Sequence, residues 1–236
     1  MTLSPSPKRT VIQGDALQWL QAPTLDITDC SIITSLPDCS ELGALSFEEW
    51  KTWFTQTALL LLEKTPSRAA TLFFQTDIKV DGVWTDKAYL IQKAAESASI
   101  PLLFHKIVCK VAPGNTTYSR PGYSHLLGFS RSVRSTLSLS TPDVLPMTGD
   151  VTWARGMGVE ACREACRFVQ RETATRTVLD PFCGHGTALA VANAMGLDAI
   201  GVELGGNRAD KARRLMLLPN GNLEYIKSES PAQDQD

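Results

Sequence analysis

Short apolar runs of strand length alternate along the chain with longer stretches of helical spacing, the pattern of a mostly parallel sheet with helices on both faces. Val11-Ile-Gln-Gly-Asp15 reads as a strand ending in a turn, followed by a helical Ala16 to Leu20. Cys30-Ser-Ile-Ile-Thr34 is a β-branched run of buried-strand type, and Pro37 stops it within Ser35-Leu-Pro-Asp-Cys-Ser-Glu41. Ser46-Phe-Glu-Glu49 is a capping box that opens a helix whose inner face carries Trp50, Trp53, Phe54 and a series of leucines. The pattern then predicts a strand at Thr71 to Phe74, a helix at Asp86 to Ser97 and a strand at Leu102 to Lys110. A Gly/Pro/Thr loop from Val111 to Tyr123 leads to a strand at Leu126 to Ser130. Arg131 to Asp150 has no clear period and reads as a connector. The last third predicts a helix at Glu160 to Glu172, a strand from Val178, a small-residue helix from Ala188 to Met195, a strand at Ile200 to Glu203, and a basic helix at Asn207 to Leu215.

A chain of 236 residues suits one sizeable α/β domain, expected over residues 10–227, with polar disordered ends at 1–9 and 228–236. The formal charge of -2 carries no global basic signature, so any nucleic-acid contact must come from a local patch. The six cysteines show no Cys-x-x-Cys spacing and the three histidines are scattered; reduced, mostly buried thiols are expected, and no metal site. With no signal-peptide pattern and no apolar run of membrane-spanning length, a cytoplasmic protein is expected.

The residues that promise chemistry lie near the C-terminus. A strand that ends in Asp180-Pro-Phe-Cys-Gly-His-Gly-Thr187 and turns into a small-residue helix is built to meet a ligand. Its glycines let the backbone approach closely, and the helix N-terminus offers free N–H groups. Asp180 at the strand end is placed to accept hydrogen bonds from the turn or from a cationic ligand. One helix further on, the next strand ends in Glu203, where a carboxylate can take two ribose hydroxyls. A nicotinamide-binding fold would instead run its first strand straight into Gly-x-Gly-x-x-Gly.

Val178-Leu-Asp-Pro-Phe-Cys-Gly-His-Gly-Thr187 with Gly201-Val-Glu203 resembles the first two motifs of Rossmann-like S-adenosylmethionine-dependent methyltransferases. It is especially similar to the amino-methyltransferases of DNA and their RNA-acting relatives. Gly14-Asp-Ala16, the following helix and Ile32-Ile-Thr-Ser-Leu-Pro37 resemble the Gly-Asp…Ile-Thr-Ser-Pro-Pro-Tyr segment of the circularly permuted branch, in which the catalytic strand comes first and the cofactor strand last. The resemblance spans most of the chain from Val11 to Leu215. It implies a Rossmann-like sheet in permuted order and S-adenosylmethionine as cofactor. It further implies that Asp180, Gly184 and Gly186 line the methionine end, within the turn that also holds Pro181, Phe182, Cys183 and Thr187. Glu203 would take the ribose, and Asp15 would approach the adenine amine.

The catalytic segment departs from the family pattern. Members that methylate an exocyclic amine carry Asp/Asn/Ser-Pro-Pro-aromatic, in which the polar side chain and the first proline's carbonyl accept the amine and the ring stacks on the extruded base. Here Ser35 keeps the first position and Pro37 one proline, but Leu36 replaces the other and Asp38 replaces the aromatic. Asp38 and Glu41 remain as carboxylates that can accept a proton or an amino group, or can simply cap the following turn. Cys39 is one residue displaced from the cysteine–proline pattern of cytosine-C5 enzymes and reads as a packed thiol. Tyr118, Arg120 and Tyr123 form a polar-aromatic loop suited to stacking and phosphate contact, or an ordinary surface loop. Trp153 and Met157 stand where permuted relatives cover the cofactor. His185 fills a variable slot in the Gly-turn, and Arg208, Lys211, Arg213 and Arg214 read as a basic face or a solvated helix end. DNA enzymes of this type usually carry a sizeable recognition insert, and the segment between the two halves here is short. Structured RNA, tRNA or rRNA, is therefore the expected partner ahead of DNA, with a homodimer or a protein partner left open. The rival is a non-catalytic cofactor-binding subunit, a role in which a degenerate catalytic loop is tolerated.

Overall fold

The computed structural model describes residues 6–118 and 120–226. The N-terminal half runs β1 (Arg9–Gln13), α1 (Ala16–Leu20), β2 (Cys30–Thr34), α2 (Phe47–Lys64), β3 (Thr71–Gln75), β4 (Ile78–Val80), β5 (Val83–Thr85) and α3 (Lys87–Ser97). It continues with β6 (Leu102–Cys109), β7 (Tyr123–Phe129), β8 (Val144–Leu145) and α4 (Val159–Glu172). The last third is β9 (Thr177–Asp180), α5 (Thr187–Ala194), β10 (Asp198–Glu203), α6 (Gly206–Arg214), β11 (Leu215–Leu217) and β12 (Leu223–Tyr225).

Eight strands form one sheet in the order β1-β10-β9-β2-β3-β7-β6-β8, parallel throughout except for the antiparallel β7. Because successive strand residues point to opposite faces, neighbouring apolar pairs divide between two cores. Ile32, Phe73, Leu127 and Leu179 pack with Trp50, Phe54 and Ile91 of α2 and α3. Ile33, Leu72, Leu126 and Val178 pack with Cys162, Cys166 and Leu189 of α4 and α5 on the other side. The continuous burial of β2 and β3 follows from this covering of both faces. α2 begins as predicted: Ser46 Oγ accepts the Glu49 N–H at 3.3 Å, and Glu49 Oε2 accepts the Ser46 N–H at 2.8 Å.

The ends of the chain differ from expectation where they are described. Residues 1–5 and 227–236 lie outside the described residues. Arg9, expected in a disordered end, opens β1, and its guanidinium donates to Asn193 Oδ1 at 2.7 Å and to the Ala212 carbonyl at 3.0 Å. β7 starts at Tyr123, so that residue belongs to a strand and not to the loop before it. The connector after β7 contributes β8 to the sheet edge. Two small hairpins, β4–β5 and β11–β12, were not anticipated. The first turns on Asp81-Gly82, both with positive φ (50° and 78°), the backbone a two-residue hairpin turn demands. No helix among the described residues is long and apolar enough to cross a membrane.

Candidate cofactor cleft and catalytic loop

The parallel strands β1, β10, β9 and β2 all end on one side of the sheet, and their register sets Gln13 opposite Glu203 and Asp180 opposite Gly201. The turns leaving these tips enclose a cleft at the carboxyl edge, where open α/β sheets bind ligands. Its walls include Gly14 to Leu17 after β1, Ser35 to Pro37 after β2, Asp180 to His185 after β9, and Val202 to Leu204 at the end of β10.

Asp180 is 4% exposed. Its Oδ1 accepts the Thr34 hydroxyl at 2.7 Å and the Phe182 N–H at 3.1 Å. Burial pushes its carboxyl up to about 7; the two hydrogen bonds pull the other way, and the nearby Glu203 adds to the rise. Glu203 is 7% exposed. Its Oε2 accepts the Gly184 N–H at 3.1 Å and its Oε1 the Gly205 N–H at 2.8 Å, and Arg208 Nε stands 2.8 Å from Oε1 as an ion pair. A pair of buried carboxylates thus flanks the glycine turn, one able to hold a cation and the other to accept hydroxyls.

The two glycines of the turn do different work. Gly184 has φ 54°, and a Cβ there would meet nothing within 4 Å, so its backbone leaves open space toward a ligand. Gly186, expected to line the methionine end, is not part of the cleft wall. It caps α5 at φ 86° and lies under α6, where a Cβ would stand 2.8 Å from Ala212 Cα. Pro181, Phe182, Cys183 and Thr187 line the cleft, as does Asp15, whose exposed carboxylate also caps α1 by accepting the Gln18 N–H at 2.9 Å.

At the catalytic loop, Ser35, Pro37 and Glu41 line the cleft and Asp38 does not. The Asp38 carboxylate is turned to an ion pair with the ammonium of Lys87, whose side chain is 3% exposed. The expectation that Asp38 serves the reacting group is corrected accordingly: a lysine buried at the start of α3 needs a counter-charge, and Asp38 supplies it. The Trp50 indole N–H, 3.1 Å from the Pro37 carbonyl, fixes the loop against α2. Glu41 Oε1 accepts the Asp38 N–H at 3.1 Å, which is the capping role weighed for it, and also lies 3.8 Å from Arg155 Nη1.

Five residues of the segment before α4, Thr152, Trp153, Arg155, Gly156 and Met157, border the cleft. Arg155 Nη1 donates to Ser40 Oγ at 2.8 Å, Asp150 Oδ2 accepts the Leu223 N–H at 2.8 Å, and the Trp153 ring lies 6.0 Å from His185. Trp153 and Met157 both line the cleft. So does Thr152, whose buried hydroxyl has no hydrogen-bond partner among the described residues. Sequence reasoning missed two residues here. Trp53, read as core, lines the cleft with its ring 6.0 Å from that of Phe182, and Arg208, read as a solvated helix end, reaches back to Glu203. Arg208 was detectable as a long cation one helical turn beyond the strand-tip glutamate. Nothing in the spacing of α2 separates Trp53 from its core neighbours Trp50 and Phe54.

The residues expected to meet a substrate stand apart from the cleft. Tyr118 is 92% exposed and Arg120 is exposed, while Tyr123 packs edge-on to His125 at 5.3 Å. Asp77, Asp86 and His125 come within ligating distance of one another. Both Asp77 oxygens are already engaged, by the Trp84 indole N–H at 3.0 Å and His125 Nε2 at 3.1 Å on Oδ2 and the Lys87 N–H at 2.9 Å on Oδ1, and Asp86 Oδ1 accepts the Tyr89 N–H at 2.8 Å. All six cysteines are free; Cys162 and Cys166 share the buried face of α4, and burial raises both thiols, Cys166 to about 12. Cys39 is half-buried and does not line the cleft.

No protein-family model and no curated protein matches the sequence. Solved structures do match the fold. A Thermus thermophilus protein assigned as a DNA modification methylase, in complex with S-adenosyl-L-methionine, aligns with a TM-score of 0.66 at 17% identity, over 86% of this chain and 91% of its own. The cytosine-N4-specific PvuII DNA methyltransferase aligns with a TM-score of 0.64 at 16% identity, over 89% and 88%. M1.HpyAVI in its complex with the same cofactor gives 0.55 at 15% identity, over 87% and 97%. The chain has the fold of these proteins, the Rossmann-like methyltransferase fold expected from its sequence.

Proposed function

We propose that this chain is an S-adenosylmethionine-dependent methyltransferase that acts on an amino group of a nucleic-acid base. The observation that carries the proposal is the pair of buried carboxylates, Asp180 and Glu203, set on neighbouring strand tips across the open Gly184 turn. The residues present fit that cofactor. It brings an ammonium, a ribose diol and an electrophilic methyl on a sulfonium. Asp180 would hold the ammonium and Glu203 the diol, Asp15 lies where the adenine amine would come, and the orphaned Thr152 hydroxyl offers a further polar contact. Ser35 and the backbone of Leu36, at the places the family uses to accept the target N–H groups, line the same cleft. Holding the amine there would present its lone pair to the methyl group, with approach and orientation supplying the rate.

The catalytic strand β2 precedes the cofactor strand β9 in the chain, which agrees with the permuted branch. The preference for RNA drawn from the short central segment loses its ground, because the Thermus protein and the PvuII enzyme are matched over 91% and 88% of their own lengths. A body of this size is compatible with DNA, and we place DNA ahead of RNA. The test is transfer of labelled methyl from S-adenosylmethionine to total DNA and total RNA, comparing wild type with Ser35→Ala. Label in DNA that is lost in the variant supports the proposal; label confined to RNA reverses the order. Cofactor binding with no label in either favours the non-catalytic subunit, a reading that the engaged Asp38 recommends.

A further inference from the structure

The carboxyl edge of the sheet has a second half beyond the catalytic loop. β3 and β6 end there and β7 starts there. Two segments project from these tips, the β4–β5 hairpin at residues 78–85 and residues 110–122 between β6 and β7. Each carries an aromatic ring and a cation. On the hairpin Trp84 is 44% exposed, with Lys79 Nζ 5.0 Å from its ring centroid. On the other segment Tyr118 and Arg120 are exposed and Lys110 is half-buried. The buried Asp77 carboxylate ties this half together. Its Oδ2 accepts the Trp84 indole N–H at 3.0 Å beside His125 Nε2 from β7, and its Oδ1 accepts the Lys87 N–H at 2.9 Å. Lys87 in turn pairs with Asp38. A short chain of contacts thus holds Trp84 to the catalytic loop, which from Ser35 to Glu41 has no aromatic residue of its own.

An exposed indole oriented by a buried carboxylate is a rigid face with little left to order on binding. The charges beside it select the occupant. None of Lys79, Lys110 and Arg120 is within ion-pair distance of a carboxylate among the described residues. The Lys110 ammonium reaches only the Ala154 carbonyl, at 3.4 Å, and burial and the neighbouring Arg120 hold it below its usual value. An anion beside these cations would relieve both. We infer that the substrate nucleic acid lies across the tips of β3, β7 and β6, with Trp84 stacking on a base beside the target and Lys79, Lys110 and Arg120 meeting phosphates. The inference rests on the reading of the chain as a nucleic-acid methyltransferase. It also accounts for how a chain of net charge -2 holds a polyanion, because the cations are concentrated where the strand is to lie. Aromatic faces accept any base and cations follow the backbone, so this contact supplies affinity and not sequence choice.

Fluorescence anisotropy of the full chain with labelled random-sequence DNA and RNA tests this. Trp84→Ala should weaken binding roughly tenfold, within the range for loss of one stacked base. Lys79→Ala and Arg120→Ala, both at exposed side chains, should each weaken it and lower the slope of log affinity against log salt by about 1. Calorimetry with S-adenosylhomocysteine should return the wild-type affinity in all three variants. Unchanged nucleic-acid affinity and salt slope in the variants overturn the inference and leave the methyltransferase proposal standing. Wild type that binds neither polymer overturns the inference and removes nucleic acid from the proposed function. Losses in the variants beside a wild type that does not bind S-adenosylhomocysteine support the inference and overturn the cofactor. Should Trp84→Ala fail to fold because Asp77 loses a donor, the two cation variants decide.

Discussion

The Thr34 hydroxyl donates a 2.7 Å hydrogen bond to Asp180 Oδ1, tying the tip of β2 to the tip of β9. The strand that leads into the catalytic loop and the strand that leads into the glycine turn therefore share one buried carboxyl. Burial holds that carboxyl up at about 7, so at neutral pH it is poised between its two forms. A cation arriving beside it would favour the ionised form and drive the proton off.

Cofactor affinity should consequently rise with pH between about 5 and 8, and binding near pH 6.5 should release a proton. Calorimetry in two buffers of different ionisation enthalpy measures the release directly. Stability of the free protein should run the other way. A carboxyl raised from 3.8 to about 7 holds its proton in the folded state after the unfolded chain has lost it. Its stabilising contribution is complete below about pH 4 and lost as pH climbs through 7. Thermal melts of wild type and Asp180→Asn over that window should show the decline only in wild type.

Glu203→Ala should weaken S-adenosylhomocysteine binding by about 1–3 kcal/mol, the loss expected when hydrogen bonds to a charged group disappear. Titration calorimetry that returns the wild-type affinity would remove the ribose from this residue.

Asp38→Ala should be costly for stability and not specifically for turnover. It strands the Lys87 ammonium, 3% exposed, without a counter-charge, a loss of roughly 3–5 kcal/mol for a buried pair. Denaturant titration should show most of this regained in Asp38→Leu/Lys87→Met, since removing both charges removes the uncompensated one. A stable Asp38→Ala with lost turnover would return the residue to the reaction.

Gly186→Ala should destabilise the fold by about 1–3 kcal/mol from its left-handed backbone alone. The contact of the new Cβ with Ala212 Cα, at 2.8 Å, adds to this. Gly184→Ala, with space around its Cβ, should incur only the backbone part, so the two melting curves should separate.

Much of the sheet was legible because β2 and β3, buried on both faces, are written as runs rich in β-branched or aromatic residues, Cys30–Thr34 and Thr71–Gln75. The Asp180–Glu203 side of the cleft was legible because glycine and a strand-tip acid answer to local backbone geometry. Partnerships between distant residues were not. Asp38 reads as a free carboxylate until α3 folds back and brings Lys87 to it, and Trp53 reads as core until Phe182 arrives from the other end of the chain. The hairpin at Asp81-Gly82 was present in the sequence as a turn dipeptide between Ile78-Lys-Val80 and Val83-Trp-Thr85, but strands of three residues are too short for periodicity to reveal.

The strand order has a consequence for how the protein is made. β9 inserts between β10 and β2, and among the described residues β1 pairs only with β10, so β1 waits for a strand from the last third of this sequence. On the ribosome, β2 presents an open hydrogen-bonding edge until the final third of the chain emerges, the kind of edge that invites mispairing with other chains. Such non-local pairing slows folding relative to pairing between adjacent strands. Chaperone dependence during synthesis should therefore exceed what the finished fold's stability would suggest.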